Sequence, residues 1–317
     1  MENSIDKLPP ELLVEIFVIF LGGIVEWRFE KLHTLAKVCK RWRDIVLATT
    51  QLWCGIQSRQ DPRHSEQVIK RNPLGPLVVQ SNSQAWLENK AAQSRPSRWI
   101  ALVYYGDHYF SSLPRILNSA TSLQHLTIAL DFGGFSPTAS TIPNPAKLRT
   151  LHLRSFYVPW AGLNSLRIES LWLERLRPSP TDDQIFGVLR SSPCLRHLVL
   201  REFYPSDDTL LMPPLPEPLE SGPINLPYIE TLVVEWVPSS LSHSLLWRLH
   251  VPSCKILHLS GCHSTHFTAA SSSELPKTFR RILMTSKQIR LKYTARSNDG
   301  SGPLEIRTLS PPDFTPR

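Results

Sequence analysis

A triplet of apolar residues spaced L-x-x-L-x-L returns along much of this chain, and this recurrence restricts the fold more than any other feature. It reads Leu123-Leu126-Ile128, Leu148-Leu151-Leu153, Ile168-Leu171-Leu173, Leu195-Leu198-Leu200 and Ile229-Leu232-Val234. A weaker copy is Cys254-Leu257-Leu259, and Trp99-Leu102-Tyr104 is an earlier one. From Leu126 to Leu257 the middle positions are 25, 20, 27, 34 and 25 residues apart. Alternate residues of a strand share a face, so the leucines point one way and the residues between them the other. One copy cannot bury its own leucines, whereas stacked copies build a continuous core.

Between copies the sequence turns helical. Thr181-Asp182-Asp183 caps a helix that buries Ile185, Phe186, Val188 and Leu189 and stops at Ser192-Pro193, just before Leu195 opens the next strand. Ser111-Ser112 with Leu113, Ile116 and Leu117 makes a similar unit ahead of Leu123. The stretched interval holds the proline-rich residues 212–218, read as a loop inserted between copies rather than as a proline-rich ligand. Proline, with 28 residues against 13 glycines, rules out long uninterrupted helices or sheet interiors. In this register the face opposite the leucines carries His152 and Arg154, Trp172 and Glu174, His197 and Arg201, Val233 and Glu235, then His258. Of these, His152, Arg154, Trp172, Glu174, Arg201 and Glu235 are the candidate recognition patch, because tryptophan and arginine dominate interface hot spots.

The first fifty residues follow a different rule. Leu8-Pro9-Pro10-Glu11 suits the opening turn of a helix, and the ten residues from Leu12 to Leu21 are apolar except for Glu15. Such a helix needs cover from more than one direction. Gly22-Gly23 breaks it. Next, Leu35, Val38, Cys39, Trp42, Ile45 and Val46 form one continuous helical stripe, and Leu52-Trp53 follows the Thr49-Thr50 break. A unit this small buries too little apolar surface internally, so the surplus is expected to face a partner.

The segments "LPPELLVEIF" and "LAKVCKRWRDIV", followed by Leu52-Trp53, resemble the F-box motif in order and approximate spacing. The stretch 22–32 is longer than the connection common in that family, and a lengthened loop is expected there. The resemblance implies docking onto a Skp-type adaptor, and through it a cullin-RING ligase, by Leu8, Pro9, Leu12, Leu13, Ile16, Phe17, Val38, Cys39, Trp42 and Trp53. The helix-then-strand cycle that follows resembles the degenerate leucine-rich region of fungal-type F-box proteins. The fold class expected is therefore α/β: a three-helix F-box, then an irregular leucine-rich repeat solenoid, horseshoe-like, with short parallel strands, helices and loops. Residues 1–56 are read as the F-box, 57–95 as a linker or capping segment, 96–310 as the repeats and 311–317 as a flexible tail. Strand-like Ile289–Leu291 and Leu304–Ile306 close the repeat region.

Other functions are constrained by what is missing. G-x-S-x-G, P-loop, H-E-x-x-H and G-x-G-x-x-G motifs do not occur, so neither an enzyme nor a cofactor is expected. Cys254, His258, Cys262, His263 and His266 resemble zinc ligands in spacing, but His258 faces away from Leu257 and Leu259 and no C-x-x-C clamp is present. Asp182-Asp183 and Asp207-Asp208 read as turn and helix-start acids rather than a catalytic pair. Residues 12–25 are too short and carry Glu15, against a membrane span. Five unpaired-looking cysteines, no N-glycosylation acceptor and no basic n-region point to a reducing interior, cytoplasmic or nuclear. The net charge of +8 permits acidic partners but comes with no RNA-reading or zinc-finger motif, so nucleic acid is not expected. Two functions follow: a ligase substrate receptor whose repeats bind a target protein, or a ligase-independent scaffold for an acidic protein or nucleic acid.

Overall fold

The computed structural model describes residues 4–21, 28–108, 110–131, 147–156, 160–163, 167–176, 179–203, 222–260, 288–293 and 304–308. The chain divides into two compact units, one made of residues 1–106 with 110–127 and the other of 107–109 with 128 onward.

The first unit opens with three helices, α1 (Pro10–Leu21), α2 (Arg28–Val38) and α3 (Lys40–Ala48), packed on one another. α1 buries Leu13, Phe17 and Leu21, a stripe spaced by four. The stripe from Leu35 to Val46, expected as a single helix, is divided at Cys39, whose extended backbone (φ −157°, ψ 172°) ends α2 and starts α3. Two side chains satisfy the backbone groups this break exposes. Cys39 Sγ accepts from Trp42 N–H at 3.4 Å, and Arg43 Nε donates to Ala36 O at 3.1 Å. Because α2 begins at Arg28, the loop expected as far as Leu32 gives way to helix over its last residues.

Residues 57–95, expected as a linker or capping segment, are regular structure. Strand β1 (Gly55–Gln57), helix α4 (Pro62–Arg71), strand β2 (Leu77–Ser81), helix α5 (Gln84–Ser94) and strand β3 (Trp99–Gly106) follow one another. The three strands pair in order and in parallel, with Ile56 beside Val79 and Val79 beside Leu102, all fully buried. α4 is capped by Asp61, and α5 by Ser83. Helix α6 (Leu113–Ser119) buries Leu113, Ile116 and Leu117 as expected. Ser112 does not cap it; its hydroxyl instead donates to Glu88. Strand β4 (His125–Leu130) follows.

In the second unit lie β5 (Thr150–Arg154), α7 (Trp160–Leu163), β6 (Ser170–Glu174), α8 (Asp182–Ser191), β7 (His197–Arg201), β8 (Ile224–Asn225), β9 (Thr231–Glu235), α9 (Ser239–Arg248), β10 (Leu249–His250), β11 (Ile256–Ser260), β12 (Gln288–Tyr293) and β13 (Leu304–Thr308). β5, β6, β7, β9, β11 and β12 are adjacent in that order and parallel, and β13 closes antiparallel on β12. β8 and β10 form a separate parallel pair. The register is the triplet register: Leu151, Leu171, Leu198, Leu232 and Leu257 are cross-strand neighbours, and so are Leu153, Leu173, Leu200, Val234 and Leu259. Every triplet position from Trp99 to Leu259 is buried. α8 is capped by Thr181 as expected, and the cap is a full capping box: Thr181 accepts from Gln184 N–H while the Gln184 side chain accepts from Thr181 N–H. Residues 212–218, Asp207, Asp208 and the tail 311–317 lie outside the described residues.

Two backbone devices recur along the strands. Leu123, Leu195, Ile229 and Cys254 each follow a turn in which their N–H donates to the carbonyl three residues back, at 3.0–3.3 Å. In the last three of these turns Pro193, Pro227 and Pro252 hold the second position, where a fixed φ suits a turn. This use accounts for part of the proline surplus. After β5, β6, β7 and β9 comes a residue with positive φ: Ser155 (51°), Arg175 (53°), Glu202 (54°) and Trp236 (53°). Each donates its N–H to the neighbouring strand, to Glu174, Arg201, Glu235 and Ser260 carbonyls at 2.8–3.0 Å. The left-handed step costs a non-glycine residue about 1–2 kcal/mol. It turns the next side chain inward, burying Phe156, Leu176, Phe203 and Val237. Each burial returns about 1.5–3 kcal/mol, so the step is offset.

This predicts that Phe203→Ala costs about 3–5 kcal/mol of stability, as large as loss of a core leucine, measured by urea unfolding. A cost below about 1 kcal/mol would show that the turned-in residue is not part of the core.

Candidate functional site

The three-helix segment holds the first candidate. α1 has two apolar stripes, and the bundle uses only one of them. Beside Leu13, Phe17 and Leu21, the side chains of Leu12 (45% exposed), Ile16 (42%), Ile19 (78%) and Phe20 (46%) lie at i, i+4, i+7 and i+8 and remain exposed, with Lys31 Nζ 5.4 Å over the Phe20 ring. Pro9 and Val38 are also exposed, while Leu8, Cys39 and Trp42 are half-buried.

The ten residues expected to meet an adaptor therefore separate into groups. Leu13, Phe17 and Trp53 are buried and hold the bundle, so they are unavailable to a partner in this conformation. Trp42 packs on Phe17 with ring centroids 4.8 Å apart. Trp53 donates its indole N–H to Val46 O at 2.7 Å and lies under the Arg71 guanidinium, 4.9 Å from the ring. Arg71 also donates to Leu47 O at 3.2 Å, and Arg41 donates to Leu8 O, which fixes the Leu8-Pro9 segment on α3. Ile19 and Phe20, at the far end of the stripe, are not among the expected contacts. Their signal in the sequence is the i+7 and i+8 continuation of Leu12 and Ile16.

The second candidate is the strand face opposite the leucines. The register brings all six expected residues together. His152, Trp172, Val199, Val233 and His258 form one cross-strand row, and Arg154, Glu174, Arg201, Glu235 and Ser260 form the next. Trp172 is 39% exposed and meets the His152 ring edge-on at 5.3 Å. Val199 and Val233 are nearly covered, which corrects the expectation of an open position at Val233: small side chains lie low in a row of larger ones.

Charge alternates along the second row. Arg154 Nε lies 3.6 Å from Glu174, Arg201 Nε 2.8 Å from Glu235, and His258 Nε2 3.3 Å from Glu235. His152 Nε2 stands 3.9 Å from Glu174, an electrostatic contact. The next position adds an Arg175–Glu202 pair. Before the strands a second ladder runs through Arg149, Glu169, Arg196, Glu230 and Lys255, with Arg149–Glu169 at 3.4 Å, Arg196–Glu230 at 3.5 Å and Lys255–Glu230 at 2.7 Å. These cations all have carboxylates beside them, so the net charge of +8 does not collect on this face.

Among the described residues no group of three His, Cys, Asp or Glu comes together to hold a metal ion, and Cys262, His263 and His266 lie outside them. No described helix is long and apolar enough to cross a membrane.

The His152 imidazole first, then the Arg154 and Arg201 charges, hold the Glu174 carboxyl below the ordinary carboxylate range, against the opposite pull of partial burial. A carboxyl with a depressed folded-state pKa stabilises the fold fully above its unfolded value, and that contribution disappears as pH falls through the lowered value. Glu174→Gln is therefore expected to be less stable than the parent chain at neutral pH. The difference should shrink as pH falls through the ordinary carboxylate range and vanish below the lowered Glu174 value. Parallel denaturant titrations at the two pH values check this; a gap that persists in acid would mean that the pair is not the cause.

Residues 5–56 match the family model described as F-box-like. No curated protein matches the chain. The three helices with the uncovered stripe are thus an F-box-like domain, a type that is typically a non-catalytic adaptor in ubiquitin ligases and typically binds Skp1-type partners.

Proposed function

We propose that this chain is the substrate-receptor subunit of an SCF-type ubiquitin ligase. The F-box-like domain docks on a Skp-type adaptor and through it a cullin-RING ligase, and the strand region, read as a leucine-rich repeat solenoid, binds the protein to be modified. The observation that carries this reading is the bare stripe of Leu12, Ile16, Ile19 and Phe20 on α1. Four large apolar side chains in contiguous helical positions are costly to leave in water, and a partner groove removes that cost. Pro9 and Val38 are proposed to border the contact, with Leu8, Cys39 and Trp42 partly in it.

In this role the chain supplies no catalytic group. It raises the effective concentration of a target beside the charged conjugating enzyme. It works inside the cell, in the cytoplasm, the nucleus or both. The alternative of a scaffold for an acidic protein or nucleic acid draws no support from the strand face, where the cations are already paired.

Calorimetry with a recombinant Skp-type adaptor tests the proposal. Ile16→Ala and Ile19→Ala are each expected to weaken binding by about 2–4 kcal/mol, as central apolar anchors do. Ile19 is 78% exposed, so Ile19→Ala should move the stability of the free chain by less than about 0.5 kcal/mol, whereas Ile16, 42% exposed, should cost about 1 kcal/mol. Phe17→Ala serves as the contrast, with about 3–5 kcal/mol lost from folding itself. Absence of adaptor binding by the folded parent chain would sink the ligase reading, and binding that falls steeply with added salt would favour the scaffold.

A further inference from the structure

Resting on the receptor reading above, the geometry points to an uncharged, apolar segment of the target protein as the occupant of the strand face, laid across Trp172 and Ile256 between the two charge ladders. Among the described residues of the second unit, the exposed large apolar side chains are Trp172, Tyr228, Trp236, Trp247 and Ile256. Trp172 is on this face, and Ile256, 41% exposed, shares it because Leu257 and Leu259 are buried on the other side. Trp236 borders it at the left-handed step after β9. In register, Trp172 stands beside Val199 and Val233, a raised aromatic edge next to a low apolar floor.

Electrostatics decides against the other occupants. In the Arg154–Glu174–Arg201–Glu235 row the carboxylate side chains are only about one-fifth exposed, against roughly a third for the guanidiniums, at 20% and 18% versus 35% and 36%. Each guanidinium is already turned through Nε onto a carboxylate, and that negative charge beside it repels a second anion. A basic ligand meets the same obstacle with signs reversed. An apolar segment displaces water from Trp172 and Ile256 and leaves every ion pair in place. The face is complementary to a chain segment without net charge.

Selection from a random-peptide phage library on the immobilised full chain tests this, at about 0.15 M and about 0.5 M salt. The recovered peptides should carry aromatic and aliphatic residues with net charge near zero. Their affinity should change less than about twofold between the two salts, and Trp172→Ala should lower it at least about tenfold. Ile256→Asp gives a second variant at a surface position, and melting curves of both variants establish that the fold is retained. Acidic, salt-sensitive peptides, affinities indifferent to both variants, or no peptide enriched over the Trp172→Ala chain each overturn the assignment. Adaptor binding is measured on the same preparation. Intact adaptor capture with acidic ligands defeats the apolar assignment alone, whereas absent adaptor capture defeats the receptor reading and leaves the peptide result standing.

Discussion

Strands of five residues cannot bury a leucine pair or satisfy their own backbones, so each one in the second unit depends on its neighbours. The dependence is met by a parallel register in which Leu151, Leu171, Leu198, Leu232 and Leu257 stack in one row, and Leu153, Leu173, Leu200, Val234 and Leu259 in the next. The hydrogen-bond ladder extends one residue past each strand through the left-handed positions at Ser155, Arg175, Glu202 and Trp236. Without that step Phe156, Leu176, Phe203 and Val237 would alternate onto the solvent face. The surface chemistry follows from the same register. Because leucines occupy alternate positions, the residues between them are forced into cross-strand rows, and the alternation of Arg154, Glu174, Arg201 and Glu235 becomes a ladder of ion pairs.

The F-box-like domain obeys a different economy. Its α1 helix is apolar on two sides, and three short helices supply cover for one. Phe17 against Trp42, and Trp53 held by Val46 O and Arg71, fix the covered side, while the other side stays exposed. Stability and the proposed recognition thus fall on different faces of the same helix. This is why residues of one motif divide into buried ones, such as Leu13 and Phe17, and exposed ones, such as Leu12 and Ile16.

Periodicity along the chain makes much of this legible. The strand register, the inward triplets, the outward row with Trp172 and the Thr181 cap all follow from spacings of two and about 3.6 residues. Three features are not legible, each for a definite reason. The split at Cys39 is masked because the apolar stripe runs through it at helical spacing, while the break depends on Cys39 and Arg43 finding backbone groups to satisfy. The strand Leu77–Ser81 carries the spacing, at Leu74-Leu77-Val79, but Leu74 is exposed among Pro73, Gly75 and Pro76 instead of joining the core, and the strand owes its place to pairing with β1 and β3. The inward turn at Phe156, Leu176, Phe203 and Val237 needs a left-handed residue, and serine, arginine, glutamate and tryptophan do not announce one.

What the sequence determined by itself is the alternation: which side chains face inward, where helices are capped, and that the opening helix carries apolar surface in excess. Those are local facts, set by the geometry of one residue relative to the next few. Only the tertiary structure decided which half of that excess stays uncovered, which charges neutralise one another across strands 20 to 34 residues apart in the chain, and which tryptophans are core and which are surface. Such outcomes depend on what a distant segment brings to within a few ångströms, and no spacing along the chain encodes that distance.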